Sequence, residues 1–333
     1  MQVSNRRGRK WYRRAALGLV ALGVDELVGE PPSKIHPLVF YGNYLNLCEE
    51  IFWTDTTFGG LRYLLAALVP VVLGTTVVRM IGIDNIVDPL AISTAVARRS
   101  LVEHANAVVL ELKSGDLDMA REKLSMLVGR DTKDLQESAI CAATIESIAE
   151  NFNDAVVATL VWGNFFGTLG ALIHRVANTC DALVGRRSLA YFHFGKIPAR
   201  FDDILGWLPA RVASVIVCRF SGDPWRNFKR SLREAKAHPS PNAGLMEASF
   251  AWTLGIQLGG KLAYASDVSY RPLLGPDTQP SVQDIERAIE LLNRATIATA
   301  LALALVDLAI GRFVNHKRPT KRNRNLNKFE SHT

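Results

Sequence analysis

Long apolar stretches alternate with polar ones along this chain, and three of them have the length of a membrane span. Tyr63–Ile83 contains a single charged residue, Arg79, and Ala155–Ile173 contains none. Ala295–Gly311 is nearly as apolar, with Asp307 close to its end. Because a helix needs about 20 apolar residues to cross a bilayer, the pattern predicts that all three stretches are membrane spans.

Two further apolar stretches are weaker. Ile204–Phe220 is interrupted by Pro209 and Arg211. Residues 15–29 form a short run that ends in acidic side chains, and this run fits a span, a re-entrant segment or an interfacial helix equally well. The sequence therefore predicts three or four spans, with five as the upper limit.

The polar connections between these stretches are predicted to be helical as well. Apolar residues recur with a spacing near 3.6 in Ala91–Leu112 and in Leu117–Val128, and the pattern continues from Asp134 to Asp154 and from Ser281 to Arg294. The alternation that is typical of strands does not occur. The predicted fold class is all-α: a multi-pass helical membrane protein with polar helical connections.

Positive charge is concentrated at the two ends of the chain. The net charge of +7 arises from residues 1–14, with six basic side chains, and residues 312–333, with seven, whereas the body between them is mildly acidic. Basic tails beside apolar helices suit an anionic cytoplasmic membrane surface. No basic face with interleaved aromatic residues indicates a nucleic-acid partner. We therefore predict a cell-membrane protein with a basic N-terminal tail (1–14), a single membrane domain (15–311) and a basic C-terminal tail (312–333).

Motifs of several common enzyme classes are missing. The four cysteines are far apart, so buried reduced thiols are expected rather than disulfides or zinc ligands. Gly255–Leu262 imitates a nucleotide-binding P-loop, but Leu262 stands where a Ser or Thr would bind Mg²⁺. The chain also lacks a Rossmann fingerprint and an ordered Ser/His/Asp set. Candidate chemistry must therefore come from its carboxylates.

The densest group of carboxylates lies just before the span predicted at Ala155. On a helix, Glu146, Glu150 and Asp154 fall at i, i+4 and i+8 and so share one face. Like charges at this spacing destabilise a helix by about 0.2–0.5 kcal/mol per pair unless a cation lies between them. Converging carboxylates are what Mg²⁺ with a bound phosphate requires. A solvated acidic helix face is the alternative, and this segment alone does not decide between the two.

Further polar residues follow the same predicted span. Arg175, Asn178 and Asp181 lie at i, i+3 and i+6 of a predicted helix. Each of the two charged residues also has a purely structural interpretation. Arg175 could extend its long side chain out of the apolar segment into water, and Asp181 could form an ion pair with an arginine. Asp202 and Asp203 form a third acidic group beside another apolar stretch. Together the three groups indicate function, because carboxylates are costly at a membrane.

Two other residues carry weaker signals. Arg130, in the segment Gly129–Thr132, fits either the end of a helix or a grip on a phosphate group. Asn242 lies in the proline-containing loop His238–Gly244, and spacing alone does not reveal the purpose of that loop.

Taken in order, these segments resemble the adenosylcobinamide-phosphate synthase family, the CbiB/CobD membrane proteins of cobalamin biosynthesis. The resemblance covers residues 17–300 and leaves both tails outside. Each motif is short, but their common order is specific. The matching stretches are Asp25–Pro32, His36-Pro37, Gly129–Thr132, Glu146–Asp154, Asn178–Gly185, Phe194–Asp203, Trp207–Arg211, Ser240–Gly244, Leu258–Gly260 and Pro272–Gly275.

The resemblance implies an ATP-dependent amide ligase. Such an enzyme joins a propionate carboxyl of adenosylcobyric acid to the amine of (R)-1-amino-2-propanol phosphate, or of aminopropanol, and gives adenosylcobinamide phosphate. A carboxylate is a poor electrophile, so phosphoryl transfer from ATP would turn it into an acyl phosphate that the amine attacks. Mg²⁺ and basic groups would stabilise the transferring phosphates.

On this resemblance the acidic and basic groups receive predicted roles. Four carboxylates are predicted to be catalytic, seven other residues to bind substrate or phosphate, and five carboxylates to bind Mg²⁺. The predicted catalytic set is Glu146, Glu150, Asp154 and Asp181; the binding set is Arg130, Asn151, Arg175, Asn178, Arg186, Arg200 and Asn242; the Mg²⁺ set is Glu146, Glu150, Asp154, Asp202 and Asp203.

Two other functions stay open at this point. A non-catalytic regulatory membrane protein of the same superfamily would be expected to lose the acidic and arginine motifs, which are present here. A prenyltransferase also binds Mg²⁺-diphosphate on Asp-rich helices, but its paired repeats are missing. The expected partners are the corrinoid and amine substrates and membrane lipid, without nucleic acid. Either a homo-oligomer or a complex with other late corrinoid enzymes fits the sequence.

Overall fold

Helices make up most of the chain, as the apolar spacing predicts. The computed structural model describes residues 16–29, 37–185, 191–264 and 267–316, with the backbone alone for 261–264, 267–269 and 314–316. The helices are α1 (16–28), α2 (Pro37–Phe52), α3 (Thr57–Ile81), α4 (Asp84–Val96), α5 (Arg98–Ser114), α6 (Leu117–Ser125), α7 (Glu137–Asn151), α8 (Ala158–Phe166), α9 (Thr168–Val184), α10 (Lys196–Cys218), α11 (Pro224–Glu234), α12 (Ala243–Leu254) and α13 (Val282–His316). A π-helical turn, Phe152–Val157, joins α7 to α8, and a 3₁₀ turn, Ala235–Ala237, follows α11.

Within the described residues, one β-hairpin departs from the all-α prediction. Strand β1 (Leu258–Tyr264) pairs antiparallel with β2 (Asp267–Leu274), and a bulge lies between Leu258 and Gly260. Apolar and polar residues do not alternate along these strands. Strand β1 contains two glycines, and its first residues pack against α7. Over the part of the chain that the structure describes, the fold is all-α apart from this hairpin.

Two of the described helices are long and apolar enough to cross a membrane, α3 and the part Val282–Phe313 of α13. Only 22% of the most apolar window of α3 and 33% of that of α13 are buried. A core helix of a soluble protein would bury most of such a surface. These two helices cover most of the spans predicted at Tyr63–Ile83 and Ala295–Gly311, and the total number of crossings stays a prediction.

The predicted span Ala155–Ile173 is wrong. Helix α8 stops at Phe166, and Gly167 adopts a φ of 68° and a ψ of −155°, a combination that is accessible to glycine. The chain then turns back through α9. Gly170 lies so close to Trp162 that a methyl group on it would overlap the Trp162 carbonyl group. This apolar run is therefore a helical hairpin and not one continuous helix.

The weaker apolar stretches also differ from a span. Ile204–Phe220 falls mostly within α10, which is not among the two helices that are apolar enough to cross. The described part of α1 is only about 20 Å long, too short to cross a bilayer. The single helix predicted over Ala91–Leu112 is broken at Ala97, whose φ of 48° ends α4 and starts α5.

The hydrophobic core has two parts that meet at α9. The larger part joins inward faces of α5, α7, α8, α12 and the first half of α13. The smaller part joins α2, α3 and α9 around Tyr63 and Phe194. Helix α9 contributes Ala171 to the larger part and Cys180 to the smaller one. All four cysteines are buried and unbridged, which confirms the prediction of reduced thiols.

The contact between α3 and Phe194 can be tested at Gly60. A methyl group on Gly60 would overlap the backbone carbonyl of Phe194, so Gly60→Ala should destabilise the protein by about 1–3 kcal/mol. Gly74→Ala, in the same helix, is the matched control, because a methyl group there meets no atom within 4 Å. It should leave the melting temperature unchanged or raise it slightly, since alanine favours helix. Equal melting temperatures of the two variants in detergent would contradict this packing.

Candidate functional site

A polar cleft of about 380 Å³ opens beside the junction of α7 with the π-helical turn. Its walls come from α7, the loop between α6 and α7, α9 and strand β2. The charged side chains that line it are Arg130, Glu146, Glu150, Asp154 and Arg271. The fold thus brings an acidic helix together with two arginines that are distant in sequence.

Three carboxylates of the cleft come from one continuous helical segment. Glu146, Glu150 and Asp154 all line the cleft, as their spacing predicts. The segment is not α-helical throughout, because it widens at Phe152 into a π-helical turn that ends at Val157. A π-helical turn contains more residues than an α-helical one, and such turns are frequent at functional sites. The direction of Asp154 is therefore set by this local change of helix type.

Glu146 is engaged by groups of the protein itself. Its side chain is 5% exposed and accepts a hydrogen bond from Nη2 of Arg130 at 2.8 Å. Its other oxygen accepts the backbone N–H of Gly259 at 2.8 Å, and that glycine has a φ of 89°. Removing one partner of a buried ion pair costs about 3–5 kcal/mol. Glu146 therefore anchors the Arg130 loop and the hairpin, which differs from its predicted role as a Mg²⁺ ligand.

Arg271 enters the cleft from β2 and is held by a second buried carboxylate, Glu247 of α12. Nη1 of Arg271 donates to Oε1 of Glu247 at 2.7 Å, and Nε2 of His238 lies 3.5 Å from Oε2 of Glu247. Burial raises the pKa of Glu247 well above its ordinary value, and the nearby charge of Glu146 adds to the rise. Carboxylates of α7 and α12 thus hold the two strands of the hairpin, one at Gly259 and the other at Arg271.

The opposite end of the cleft is acidic. Asp154 accepts hydrogen bonds from Nδ2 of Asn153 at 2.7 Å and from Nδ2 of Asn178 at 3.2 Å. Burial and the neighbouring charge of Glu150 nevertheless raise the pKa of Asp154 to about 7. Burial also raises the pKa of Glu150, against the opposing charge of Arg271. These carboxylates therefore hold their protons more tightly than carboxylates in water do.

Carboxylates of α9 and α10 add to this acidic end. Burial raises the pKa of Asp181 to about 6, with contributions from Asp203 and Glu150. Burial also raises the pKa of Asp202 well above its ordinary value, with contributions from Asp154 and Asp181. Oδ1 of Asp202 is buried and accepts no hydrogen bond from the part of the chain that the structure describes. A nearby cation would favour the joint ionisation of these groups.

Three other residues that were predicted to bind substrate or phosphate lie on α7 and α9. Asn178 reaches the cleft through its bond to Asp154. Asn151 lines the cleft, but its amide donates back to the carbonyl oxygen of Ser147 at 2.9 Å. Arg175 is close enough to Asp154 for its charge to favour the ionised form of that carboxyl group. The predicted face of α9 therefore does point towards the acidic end.

The remaining predicted residues lie elsewhere. Asn242 is buried and holds α10, since it donates to the carbonyl oxygen of Asp203 at 2.8 Å and accepts from Arg211 at 2.9 Å. It therefore acts within the protein rather than as a lining residue of the cleft. Arg200 is exposed near the start of α10, outside the cleft wall. Arg186 lies outside the described residues.

Sequence reasoning missed Arg271, Gly259 and Glu247. Two of them adjoin or lie within motifs that carry the family resemblance, since Gly259 belongs to Leu258–Gly260 and Arg271 precedes Pro272–Gly275. The signal for Glu247 is that it is the one charged residue of α12. A lone acid in an apolar helix predicts a buried, paired carboxylate.

The donor set of the acidic end fits Mg²⁺ in its chemistry. Across the ranges that the structure describes, no three His, Cys, Asp or Glu side chains are positioned to hold a metal ion as they stand. Carboxylate oxygens are nevertheless the donors that Mg²⁺ prefers, and Oδ1 of Asp202 is a buried oxygen without a hydrogen bond. The side chains of Glu150, Asp181 and Asp202 would have to move to hold one ion together, so Mg²⁺ binding stays a prediction.

Comparisons with known proteins cover the whole site. The family model described as CobD/Cbib protein matches residues 18–292. A cobalamin biosynthesis protein CobD of Chromobacterium violaceum is 38% identical over an alignment of 303 residues that covers 87% of this chain and 96% of that protein. A protein of the same name from Sinorhizobium fredii is 34% identical over 317 residues, with 87% and 96% covered. One from Leptospira interrogans is 33% identical over 303 residues, with 86% and 96% covered. No solved structure matches the chain.

The matched range contains every residue that lines the cleft, from Leu127 to Arg271. The relatives are matched over nearly their entire length, and all three carry a name that refers to cobalamin biosynthesis. The resemblance seen in the sequence motifs is thereby confirmed. The chain belongs to the CobD/Cbib family of cobalamin biosynthesis proteins.

Proposed function

We propose that this protein joins adenosylcobyric acid to (R)-1-amino-2-propanol phosphate in an ATP-dependent and Mg²⁺-dependent reaction. The supporting observation is that the guanidinium groups of Arg130 and Arg271 and the carboxyl groups of Glu150 and Asp154 line the same cleft. A small substrate that carries both a phosphate and an ammonium group matches this combination of charges. Membership of a cobalamin biosynthesis family supports a corrinoid as the second substrate. Free aminopropanol is the alternative amine.

The proposal includes a multi-pass location in the cell membrane. Helices α3 and α13 are the proposed crossing helices, because their apolar faces are largely exposed. The basic tails, residues 1–14 and 312–333, would then lie near anionic lipid on the cytoplasmic side. A homo-oligomer or a complex with other late corrinoid enzymes stays a prediction.

Phosphate binding is assigned to Arg130 and Arg271. Each guanidinium group lines the cleft, and each is oriented by a buried carboxylate, Glu146 or Glu247. A guanidinium group has five N–H donors in a planar fork, so an arginine that binds a carboxylate through one nitrogen can also donate to a phosphate. This arrangement suits the phosphates of ATP and of the amine substrate.

Mg²⁺ binding is assigned to Glu150, Asp181 and Asp202. Their carboxyl groups raise the pKa of one another or of their neighbours, and Oδ1 of Asp202 lacks a hydrogen bond within the described chain. Bound Mg²⁺ would supply positive charge to the transferring phosphates. These three residues would hold Mg²⁺ at the acidic end of the cleft.

The reaction then has two steps. A propionate oxygen of the corrinoid attacks the terminal phosphorus of ATP, and ADP leaves. The amine, after losing one proton to solvent, attacks the activated carbonyl carbon; phosphate leaves, and a second proton passes from nitrogen to a base. Asp154 suits this role, because burial and Glu150 bring its pKa to about 7. Asn153 and Asn178 fix its orientation.

Product formation tests the function directly. Full-length protein in detergent, supplied with adenosylcobyric acid, aminopropanol phosphate, ATP and Mg²⁺, should give the amide by mass spectrometry. Glu150→Gln should lower the rate at least about 100-fold through loss of the metal site. Glu122→Gln, at an exposed position of α6, is the matched control and should keep the rate. Folded wild-type protein that forms no amide with any aminopropanol or ethanolamine substrate would favour the regulatory alternative.

Mg²⁺ binding should depend on pH. The folded-state pKa values of about 7 for Asp154 and about 6 for Asp181 lie above those of an unfolded chain, so the folded protein binds protons more tightly. Without Mg²⁺, stability should therefore fall as the pH rises from about 4 to about 7, and Mg²⁺ should raise the melting temperature more at about pH 8 than at about pH 5, because protons no longer compete at the higher pH. Melting curves with EDTA and with Mg²⁺ measure this. An equal Mg²⁺ effect at both pH values, retained in Asp202→Asn, would contradict the assignment.

Arg271 should determine the preference for a phosphorylated amine. Arg271→Ala should raise the KM for aminopropanol phosphate about 10-fold or more, because a hydrogen bond to a charged group contributes about 1.5–3 kcal/mol. The KM for free aminopropanol should change little, so the ratio of kcat/KM values for the two amines should fall. Arg287→Ala, at a half-exposed arginine of α13, is the control. An unchanged ratio would remove Arg271 from phosphate binding.

A further inference from the structure

We propose, resting on the membrane location proposed above, that α10 and α11 lie in the headgroup layer of the bilayer and bind anionic lipid there. This goes beyond a count of crossings, because it assigns two helices to the membrane surface. Helix α10 also carries Asp202 and Asp203. The bilayer surface would therefore support the acidic end of the cleft from outside.

Both ends of α10 meet the point where an apolar span begins. The carbonyl group of Phe194, just before α10, packs against Gly60 in the first turn of α3. The ring of Phe220, just after α10, lies 4.9 Å from the guanidinium carbon of Arg294. Arg294 is the last charged residue of α13 before the uncharged run Ala295–Val306. Helix α10 is thereby held against α3 and α13 at its two ends, and its outer side stays exposed.

The outer side of α10 is an apolar stripe. Ile204, Trp207, Leu208 and Val215 are between 41% and 69% exposed. They lie at i, i+3, i+4 and i+11, which places them on one face of the helix. The opposite face contains the buried residues Gly206, Pro209, Ala210, Ala213 and Ser214. Such a one-sided stripe suits a helix that lies in the membrane surface.

Trp207 and Arg211 indicate the depth of this stripe. The guanidinium carbon of Arg211 lies 4.5 Å from the centre of the Trp207 ring. Tryptophan is enriched in the interfacial layer, where its ring contacts apolar chains and its N–H contacts water. The arginine held over this ring therefore places its charge at the level of the lipid phosphates.

Contrary to the expectation from sequence, a basic face with an exposed tryptophan does occur, and it lies on α11, where it continues this surface. Trp225, Arg226, Lys229 and Arg233 are exposed, and helical spacing places them on one side. Nζ of Lys229 lies 5.1 Å from the centre of the Trp225 ring. The side of α11 that packs against the protein contains Asn227 and Ser231, both small and polar. Exposed tryptophan with three cations matches the headgroups of anionic lipid.

A lipid surface fits both helices, whereas a nucleic acid would fit only α11. The basic side chains of α11 alone are compatible with either polyanion. Only residues 219–223 separate α10 from α11, so a partner that covers one helix also meets the other. A nucleic acid would leave the apolar stripe of α10 in water, and an anionic bilayer surface would cover it. The combination of the two faces therefore selects lipid.

Fluorescence depth measurements in proteoliposomes test the position of α10. A bimane label on Val215→Cys in the full-length chain should be quenched several-fold more by brominated lipid than a label on Ser125→Cys, at an exposed position of α6. Leu73→Cys, on the exposed face of α3, is the control for contact with lipid. Wild-type protein, whose four native cysteines are buried, gives the background labelling.

Melting temperatures in lipid nanodiscs test the charge of α11. Wild-type protein should melt at a higher temperature with phosphatidylglycerol than with phosphatidylcholine alone. Lys229→Glu should lose a large part of this gain. Lys133→Glu makes the same charge change at an exposed position before α7 and should keep the gain.

The controls separate this inference from the proposed function. If the Leu73 label meets lipid but the Val215 label is quenched only by aqueous iodide, α10 faces water; the inference is then overturned and the membrane location stands. If neither label meets lipid, the membrane location fails as well. An equal phosphatidylglycerol gain in both lysine variants would overturn lipid binding by α11, and so would a Lys229-dependent stabilisation by RNA in place of lipid.

Discussion

The buried carboxylate of Glu146 is the contact on which the cleft depends. It joins α7 to the loop that carries Arg130 and, through Gly259, to the hairpin that carries Arg271. A buried ion pair of this kind holds only while both partners remain, because either charge alone in the interior is strongly destabilising. The same helix carries Glu150 on its cleft side. Contacts of one helix thereby contribute to the positions of both arginines relative to the acidic end.

The acidic end lies where the character of the helix changes. Helix α7 contains the charged residues, and α8, which continues from the π-helical turn, contains none. Carboxylates at such a place are partly removed from water, which raises their pKa and strengthens their attraction for a cation. Asp154 lies in the π-helical turn between these two helices. The proposed preference for a cation would thus depend on the position of the carboxylates as much as on their number.

The predictions from sequence succeeded where a local pattern carries the information. The common side of Glu146, Glu150 and Asp154 followed from helical spacing, and the long apolar helices α3 and α13 followed from composition. The turn at Gly167 could not be predicted, because an apolar segment that turns back has the same composition as one that crosses a membrane. The β-hairpin and the position of Arg271 could not be predicted either, since buried polar contacts rather than an apolar face hold the hairpin in place. The engagement of Glu146 depends on partners far away in the chain, so spacing within α7 could not predict it.

The π-helical turn Phe152–Val157 determines where the length of this helical segment can change. Such a turn holds about one residue more than the α-helical turn it replaces, and an α-helix rotates about 100° per residue. Deletion of one residue within the turn would therefore leave regular α-helix with α8 in nearly its present rotation relative to α7, and it would redirect only the side chains of the turn itself, among them Asp154. Deletion at another position of α7 or α8 would instead rotate the residues that follow by about 100° and take buried side chains such as Leu160 out of the core. The segment can therefore lose a residue within the turn without displacing α8, and the direction of Asp154 changes when it does.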